Sequence, residues 1–229
     1  MFKVLLWDLD NTLLNFNETE KRAFKDTFGA FGLGECSDEI AALYSKINLK
    51  HWKLLEQGII TKEQVKRGRY EELFSTLNIS GVNILEFVKE YERRLGETVI
   101  FIENSYDIIK SLKDKYSQYL VTNGTYDVQK NRLKNSGFDK LFNGAFISDE
   151  VGYEKPKKEF FDYVLNHIEK CEKDEILIIG DSLTSDMQGG NNIGIKCCLY
   201  NPASEPVQTD LKIDYQITKL CDIYSVFKL

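Results

Sequence analysis

The sequence predicts an α/β fold, a Rossmann-like doubly wound parallel sheet with an all-helical insertion. Short apolar runs that suit buried strands alternate with segments of helical spacing along most of the chain. Residues 18–95 interrupt this alternation with helical spacing and no convincing strand. The length of 229 residues exceeds one typical domain of about 150 residues. We therefore expect a core domain at residues 1–14 and 96–229 and a helical cap domain at residues 15–95.

The first strand is expected at residues 3–8, and it ends in the loop Asp8-Leu9-Asp10-Asn11-Thr12. Within the insertion, Thr61 and Gln64 have the spacing of a capping box and predict a helix start. After the insertion, helices are expected at 105–112, 128–133 and 158–168, and strands at 118–122, 142–147, 175–180, 194–200 and 215–217. Alternating strands and helices indicate a parallel sheet, in which ligands bind beyond the carboxyl ends of the strands.

Composition excludes several classes of protein. The net charge of −6 disfavours a nucleic-acid partner, and no run approaches the ~18 apolar residues of a membrane span. With only two histidines, a histidine-rich metal centre is excluded. The cysteines are odd in number and lack CxxC spacing, which predicts free thiols and a cytoplasmic location. They are Cys36, Cys171, Cys197, Cys198 and Cys221.

Four loops that follow predicted strands carry residues able to do chemistry. In chain order the motifs are Asp8-x-Asp10-x-Thr12, Thr122-Asn123-Gly124, Glu154-Lys155-Pro156 and Gly180-Asp181-Ser182-x-x-x-Asp186. Each motif alone is weak, because a DxD or a Thr-Asn-Gly is usually only a turn. Together, in order and at the carboxyl ends of parallel strands, they predict one site.

The acidic residues of these motifs predict a metal ion. Four carboxylates in one crevice repel each other by about 4 kcal/mol for each close pair at 4 Å and an effective dielectric near 20. A cation is therefore expected, and ligands limited to oxygen favour Mg²⁺. The four carboxylates belong to Asp8, Asp10, Asp181 and Asp186.

The same loops offer groups for phosphate chemistry. Lys155 and the Thr122 hydroxyl suit a phosphate oxyanion. One of the paired carboxylates Asp8 and Asp10 could attack phosphorus to form an aspartyl phosphate. The other would donate a proton to the leaving oxygen and later take one from water.

As a set, the four motifs resemble those of the haloacid dehalogenase (HAD) superfamily, and the helical insertion resembles its C1 cap. The resemblance covers essentially the whole chain. It implies that Asp8 is the nucleophile, Asp10 the general acid/base, and Lys155 the stabilising lysine. It also implies that Thr122, Asn123 and Lys155 bind phosphate. Mg²⁺ would be held by the Asp8 side chain, the Asp10 carbonyl and Asp181, with Asp186 close by or acting through water. Because dehalogenases lack the second aspartate, Asp10 disfavours dehalogenation.

A narrower resemblance points to the pyrimidine 5′-nucleotidases of that superfamily. It is carried by Asn48-x-x-x-Trp52, Glu56-x-Gly58-x-Ile60-Thr61, Arg69-Tyr70-Glu71, residues 147–158 and residues 185–191. It implies hydrolysis of a nucleoside 5′-monophosphate, a small-molecule phosphate monoester. For contacts with base or ribose we select Phe16, Asn48, Trp52 and Arg69. The alternatives are packing for Phe16 and Trp52 and a solvated charge for Arg69.

Two other functions remain open at this point. A sugar-phosphate phosphatase or phosphomutase would share the four motifs, although the cap offers no clear acid/base for a mutase. A phospho-receiver signalling domain also clusters aspartates with a Lys-Pro. It is shorter, has no helical insertion and has no counterpart of residues 180–186.

Overall fold

The computed structural model describes residues 1–228, which form two compact units. The first, called here the sheet unit, contains residues 1–15 and the chain from Ile100 onward. The second, called the helical unit, is Phe16–Val99.

The sheet unit is built on six parallel strands, and the α/β prediction is confirmed. The strands are β1 (Val4–Trp7), β2 (Ser117–Thr122), β3 (Gly144–Ile147), β4 (Ile176–Gly180), β5 (Lys196–Tyr200) and β6 (Tyr215–Ile217). They lie in the order β3-β2-β1-β4-β5-β6. Because the order reverses between β1 and β4, the carboxyl ends of these two strands border the crevice in which such sheets bind ligands.

Helices lie between or after the strands of the sheet unit. They are α5 (Ser105–Leu112), α6 (Tyr126–Ser136), α7 (Ser148–Val151), α8 (Lys158–His167), α9 (Gln188–Ile193) and α10 (Ile223–Phe227). The core packs on residues of β1, β2, β4 and β5, and the rings of Phe160 and Phe161 from α8 join it. Its strands are apolar on both faces because helices cover both faces of the sheet.

A buried polar link fixes the central strand. All four residues of β1 are fully buried. The indole Nε1 of Trp7 donates to Oε1 of Gln118 on β2 at 3.1 Å. Nε2 of Gln118 then donates to the carbonyl of Ile109 on α5 at 2.9 Å. Since the bonded polar atoms of Trp7 and Gln118 have partners, these hydrogen bonds offset the cost of burying them while joining β1, β2 and α5.

The helical unit contains four helices around an aromatic core. They are α1 (Phe16–Ala30), α2 (Asp38–Glu56), α3 (Lys62–Thr76) and α4 (Ile84–Glu97). The rings of Phe24 and Tyr44 stack with centroids 4.1 Å apart, and Tyr70 and Phe87 pack edge to face at 5.1 Å. The capping box predicted at Thr61 is confirmed at the start of α3.

The five cysteines are free thiols, as predicted, and Cys197 and Cys198 lie inside β5. Among residues 1–228, no helix combines the length and apolar character that crossing a bilayer requires.

Candidate active site

The loop after β1 turns back sharply and presents its polar side chains at the carboxyl end of the sheet. The backbone N–H groups of Leu13 and Leu14 donate to the carbonyl of Leu9 at 3.0 and 2.9 Å. Asn11 closes the turn with a φ of 60°, a value that asparagine tolerates better than most residues. Asp8 and Thr12 are both buried at this turn.

The loop after β4 brings a second pair of aspartates to the same edge. A Cβ on Gly180 would collide with the Asp186 carboxylate, so glycine permits this close approach. The backbone N–H of Ser182 donates to Oδ2 of Asp186 at 3.2 Å, and the Ser182 hydroxyl caps the following turn, Leu183–Met187. Asp186 is fully buried.

A reciprocal pair of hydrogen bonds holds Lys155. Its backbone N–H donates to Oδ1 of Asn123 at 2.8 Å, and Nδ2 of Asn123 donates to the Lys155 carbonyl at 2.9 Å. Both side-chain groups of Asn123 are thus used by backbone. The phosphate-binding role expected for Asn123 stays a prediction.

The ammonium of Lys155 links three of the loops. It is buried and donates to Oδ1 of Asp8 at 2.7 Å, to Oδ1 of Asp186 at 2.6 Å and to the carbonyl of Val121 at 2.8 Å. Three acceptors match the three protons of an ammonium group. The structure therefore brings together Asp8, Lys155 and Asp186, which are far apart in the sequence.

Three carboxylates at this edge form a group that suits a cation. Ligand oxygens of Asp8, Asp181 and Asp186 lie within 4.8 Å of one another. The Thr12 hydroxyl lies 3.1 Å from Oδ2 of Asp8 and 3.5 Å from Oδ1 of Asp181. With Lys155 as the ammonium among them, three carboxylates retain excess negative charge. An oxygen-only donor set with this charge fits Mg²⁺.

Burial and the closeness of these charged groups shift their pKa values. Burial raises the pKa of Asp8 to about 7, a rise that Lys155 opposes and that Asp186 and Asp10 reinforce. Burial, with Asp8 and Asp186, holds the pKa of Asp181 well above its ordinary value. Burial alone would lower the pKa of Lys155, but the carboxylates of Asp186 and Asp8 hold it above its ordinary value. A bound divalent cation would favour the ionised carboxylates.

The Asp10 carboxylate lies close enough to raise the pKa of Asp8, but it is not among the three carboxylates whose oxygens lie within 4.8 Å of one another. Arg132 forms an ion pair with Oδ1 of Asp10. Nε2 of Gln129 donates to Oδ2 of Asp10 at 2.7 Å. The charge of Asp10 is thus met by the chain itself.

Gln129 and Arg132 contact residues of the candidate site, and the sequence analysis missed them. They lie on α6, and the fully buried Arg132 is an exception among arginines. The available signal was their spacing of three residues, which places both side chains on one face of a helix. Nε2 of Gln129 also donates to the hydroxyl of Thr122 at 2.7 Å.

Two residues selected for the leaving group lie inside a polar network of the helical unit. Nη1 of Arg69 donates to Oδ1 of Asn48 at 2.7 Å, and Nδ2 of Asn48 donates to Oε1 of Glu20 at 2.5 Å. Arg69 is only 4% exposed, and its guanidinium lies over the rings of Tyr70 and Tyr91. The interpretation of Arg69 as a solvated charge is wrong, because α3 turns this side chain inward.

The other two selected residues, Phe16 and Trp52, are partly buried in the helical unit. Phe16 is the first residue of α1, and Trp52 lies in the last third of α2. Their roles stay predictions.

Fold and site together define an α/β enzyme with an acidic crevice at the switch point of its sheet. The family model described as haloacid dehalogenase-like hydrolase matches residues 5–200. The chain therefore belongs to the haloacid dehalogenase-like hydrolase family, which confirms the resemblance carried by the four motifs.

Three proteins with known names are similar to this chain along most of its length. The chain is 32% identical to the HAD-hydrolase YfnB of Bacillus subtilis (strain 168), covering 100% of this chain and 96% of YfnB. It is 32% identical to the pyrimidine 5′-nucleotidase PynA of Streptococcus pneumoniae (strain ATCC BAA-255 / R6), covering 97% and 93%. It is 28% identical to the pyrimidine 5′-nucleotidase YjjG of Escherichia coli (strain K12), covering 86% and 85%.

A solved structure matches the fold over its full length. The crystal structure of YfnB from Bacillus subtilis bound to magnesium has a TM-score of 0.93 to this chain at 32% identity, covering 100% of this chain and 99% of that chain. The predicted likeness to the pyrimidine 5′-nucleotidase branch is confirmed by PynA and YjjG.

Proposed function

We propose that this chain is a Mg²⁺-dependent phosphomonoesterase that acts through a phosphorylated Asp8 and hydrolyses nucleoside 5′-monophosphates, with a preference for pyrimidines. One observation carries the proposal. The Lys155 ammonium contacts the carboxylates of Asp8 and Asp186 together, beside the Asp181 carboxylate. A nucleophilic carboxylate next to a fixed cation suits attack on an anionic ester.

Asp8 would attack phosphorus with one carboxylate oxygen. Lys155 holds Oδ1 of Asp8 at 2.7 Å, which fixes the carboxylate and reduces its repulsion from the incoming phosphate. The Asp8–phosphate bond would form as the bond between phosphorus and the ester oxygen breaks. Thr12, 3.1 Å from Oδ2 of Asp8, would restrain the other oxygen.

Asp10, protonated at the start of the cycle, would give its proton to the leaving alkoxide. It would then accept a proton from the water that hydrolyses the aspartyl phosphate, and so regenerate Asp8 and release inorganic phosphate. The Asp10 side chain is 26% exposed, which leaves it accessible to a substrate.

The metal ion would be held by Asp8, Asp181 and Asp186, with the Asp10 carbonyl as a further oxygen ligand. When bound, Mg²⁺ would neutralise charge on the carboxylates and the phosphate. Thr122 would donate its hydroxyl proton to a phosphate oxygen. Lys155 would remain in place throughout, because its three acceptors are all provided by the protein.

The relatives named above support the choice of substrate. PynA and YjjG are pyrimidine 5′-nucleotidases that align with 97% and 86% of this chain. A sugar-phosphate phosphatase is the second outcome of the test below.

The first experiment tests the nucleophile. Purified protein with Mg²⁺ is assayed for phosphate release, and Asp8→Asn is expected to abolish turnover while its thermal unfolding stays cooperative, as for a folded protein. Asp162→Asn serves as the matched control, because the Asp162 side chain is 46% exposed and pairs with Lys158. Asp8→Asn with wild-type activity would remove Asp8 as the nucleophile.

The second experiment tests the substrate class. Values of kcat/KM are compared for UMP, dTMP, AMP, glucose 6-phosphate and p-nitrophenyl phosphate. We expect UMP and dTMP to lead the series. A preference for glucose 6-phosphate would favour the sugar-phosphate alternative, and no release from any ester would refute the proposed function.

The third experiment tests the metal. EDTA is expected to abolish activity and Mg²⁺ to restore it. Asp181→Asn should raise the Mg²⁺ concentration needed for half-maximal activity by about 10- to 100-fold, the size seen when the ligand environment of a metal is disturbed. An unchanged Mg²⁺ requirement would remove Asp181 from the ligand set.

A further inference from the structure

Two side chains of α6 contact the carboxylate of Asp10, one at each oxygen. Arg132 pairs with Oδ1 of Asp10, and Nε2 of Gln129 donates to Oδ2 at 2.7 Å. Arg132 is fully buried while the Asp10 side chain is 26% exposed. The carboxylate therefore faces solvent but has little rotational freedom, because each oxygen is bonded to a residue on the rigid face of a helix.

The Gln129–Arg132 contact sets the orientation of the Gln129 amide. Nη1 of Arg132 donates to Oε1 of Gln129 at 3.0 Å. Guanidinium groups have no acceptor, so the amide oxygen must face Arg132. The amide NH₂ group must then face Asp10, and a flipped amide would set two oxygens against each other.

The second proton of the same NH₂ group serves Thr122. Nε2 of Gln129 donates to the Thr122 hydroxyl oxygen at 2.7 Å. A hydroxyl that accepts from an amide keeps its own proton for another acceptor. Gln129 thus directs the Thr122 proton away from α6 and joins Thr122 to Asp10 through one amide nitrogen.

Gly124 supplies an independent sign that the position of Gln129 matters. A Cβ on Gly124 would overlap Cγ, Cδ and Nε2 of the Gln129 side chain. Glycine at this position leaves the space that the folded-over glutamine fills. Because the colliding atoms belong to a side chain and not to backbone, Gly124→Ala would displace Gln129 from its contacts with Asp10 and Thr122.

We propose that Gln129 and Arg132 are positioning residues. They couple Asp10, the proton-transfer group, to Thr122, whose hydroxyl would donate a hydrogen bond to the phosphate. This inference rests on the proposed function. Arg132 orients the Gln129 amide, and that amide holds Asp10 for the leaving oxygen and aims the Thr122 proton at the phosphate. A substrate would therefore meet a donor and an acid whose positions are fixed relative to each other before it binds.

The test compares two esters that differ in their need for an acid. p-Nitrophenolate leaves as a stable anion without protonation, whereas the alkoxide of UMP or glycerol 2-phosphate needs a proton. Values of kcat/KM cover the steps up to departure of this group. They are measured for Gln129→Met, which keeps the side-chain length but removes both donors, and for Gly124→Ala, which displaces the side chain. Asn131→Leu, exposed on the same helix, is the control.

For Gln129→Met we expect kcat/KM for the alkyl ester to fall about 100-fold more than kcat/KM for p-nitrophenyl phosphate, the range of general acid catalysis. We also expect a smaller loss of kcat/KM that is the same for both esters, together with weaker inhibition by inorganic phosphate. This shared loss measures the misdirected hydrogen bond from the Thr122 hydroxyl to the phosphate. Gly124→Ala should show the same difference between esters, and Asn131→Leu should show none.

Equal losses for both esters, or wild-type values in both variants, would overturn the inference. Thermal unfolding of each variant shows whether it folds. If Gln129→Met does not fold, the comparison of the two esters is made with Gly124→Ala alone. A wild-type chain that hydrolyses neither ester would refute the proposed function and this inference with it. Activity on both esters without the difference would refute the inference alone.

Discussion

Each of the two units buries a cation, but each holds it in a different way. In the sheet unit, Lys155 lies between the carboxylates of Asp8 and Asp186 and donates to both. In the helical unit, Arg69 donates to the uncharged amide of Asn48 and lies over aromatic rings. The first arrangement gathers charged groups at the carboxyl end of the sheet, whereas the second lies beside the aromatic core of the helical unit. Burial of a cation alone therefore does not identify a site.

Removal of Lys155 gives the largest effect expected from this comparison. Lys155→Met leaves Asp8 and Asp186 without their shared partner in a buried place, which costs about 3–5 kcal/mol of unfolding free energy. Activity should also be lost. Urea unfolding in EDTA measures the first effect, and phosphate release in Mg²⁺ measures the second.

The control for this change is the neighbouring Lys157→Met. The Lys157 side chain is 41% exposed and pairs with Glu154, and exposed pairs contribute about 0–1 kcal/mol. If Lys155→Met were as stable as Lys157→Met, the ammonium would not hold the two buried carboxylates together.

The sequence allowed most of the sheet unit and its acidic crevice to be predicted, for a physical reason. Parallel strands end at one edge, so motifs that follow strands must converge there. Asp8, Lys155 and Asp181 could be assigned to one edge because each follows a predicted strand. The charges expected at this edge did not include Arg132. It was missed because it lies inside a helix and not after a predicted strand.

The helical unit was less predictable. Helical spacing indicated that residues 18–95 form helices, yet it does not say which polar side chain turns inward. Arg69 lies on α3 near Lys62 and Lys66, and its neighbours suggested a solvated face. Its burial depends on Asn48 and Glu20, which come from two other helices.

A second prediction tests whether Arg69 stabilises the helical unit through its own contacts. Arg69→Met should lower the unfolding free energy by about 1.5–3 kcal/mol, the size of a hydrogen bond to a charged group. Arg67→Met is the control, since Arg67 is 49% exposed. Chemical denaturation measures both variants. Equal stability of the two would mean that the buried guanidinium contributes nothing to the fold.

A third prediction concerns an uncharged buried pair in the same unit. The hydroxyls of Tyr44 and Tyr70 lie 3.0 Å apart in the aromatic core. Tyr44→Phe leaves the Tyr70 hydroxyl without this partner and should cost about 1 kcal/mol. Adding Tyr70→Phe removes the Tyr70 hydroxyl that has lost its partner. The double variant should therefore lose less unfolding free energy than the sum of the two single variants. Strict additivity in the double-mutant cycle would show that the hydroxyls do not interact.

The smallest effect is expected where charge is paired near the surface of the helical unit. Hydrogen bonds from Arg93 lower the pKa of Glu90 to about 2, with burial opposing the change and Arg94 assisting it. A carboxyl whose pKa is lowered by folding stabilises the native state above its unfolded pKa of about 4.3. That contribution is lost as pH falls through about 2.

Glu90→Gln should therefore lower the unfolding free energy at pH 7 by less than about 1 kcal/mol. Its difference from wild type should shrink as pH falls below about 4.3 and vanish near 2. Chemical denaturation across this range, with an NMR titration of the Glu90 carboxyl, measures both quantities. A titration midpoint near 4 would show that Arg93 and Arg94 do not hold Glu90 in solution. A small, acid-sensitive loss would set this pair apart from Lys155, because water screens the charges of Glu90 and the protein interior does not screen those around Lys155.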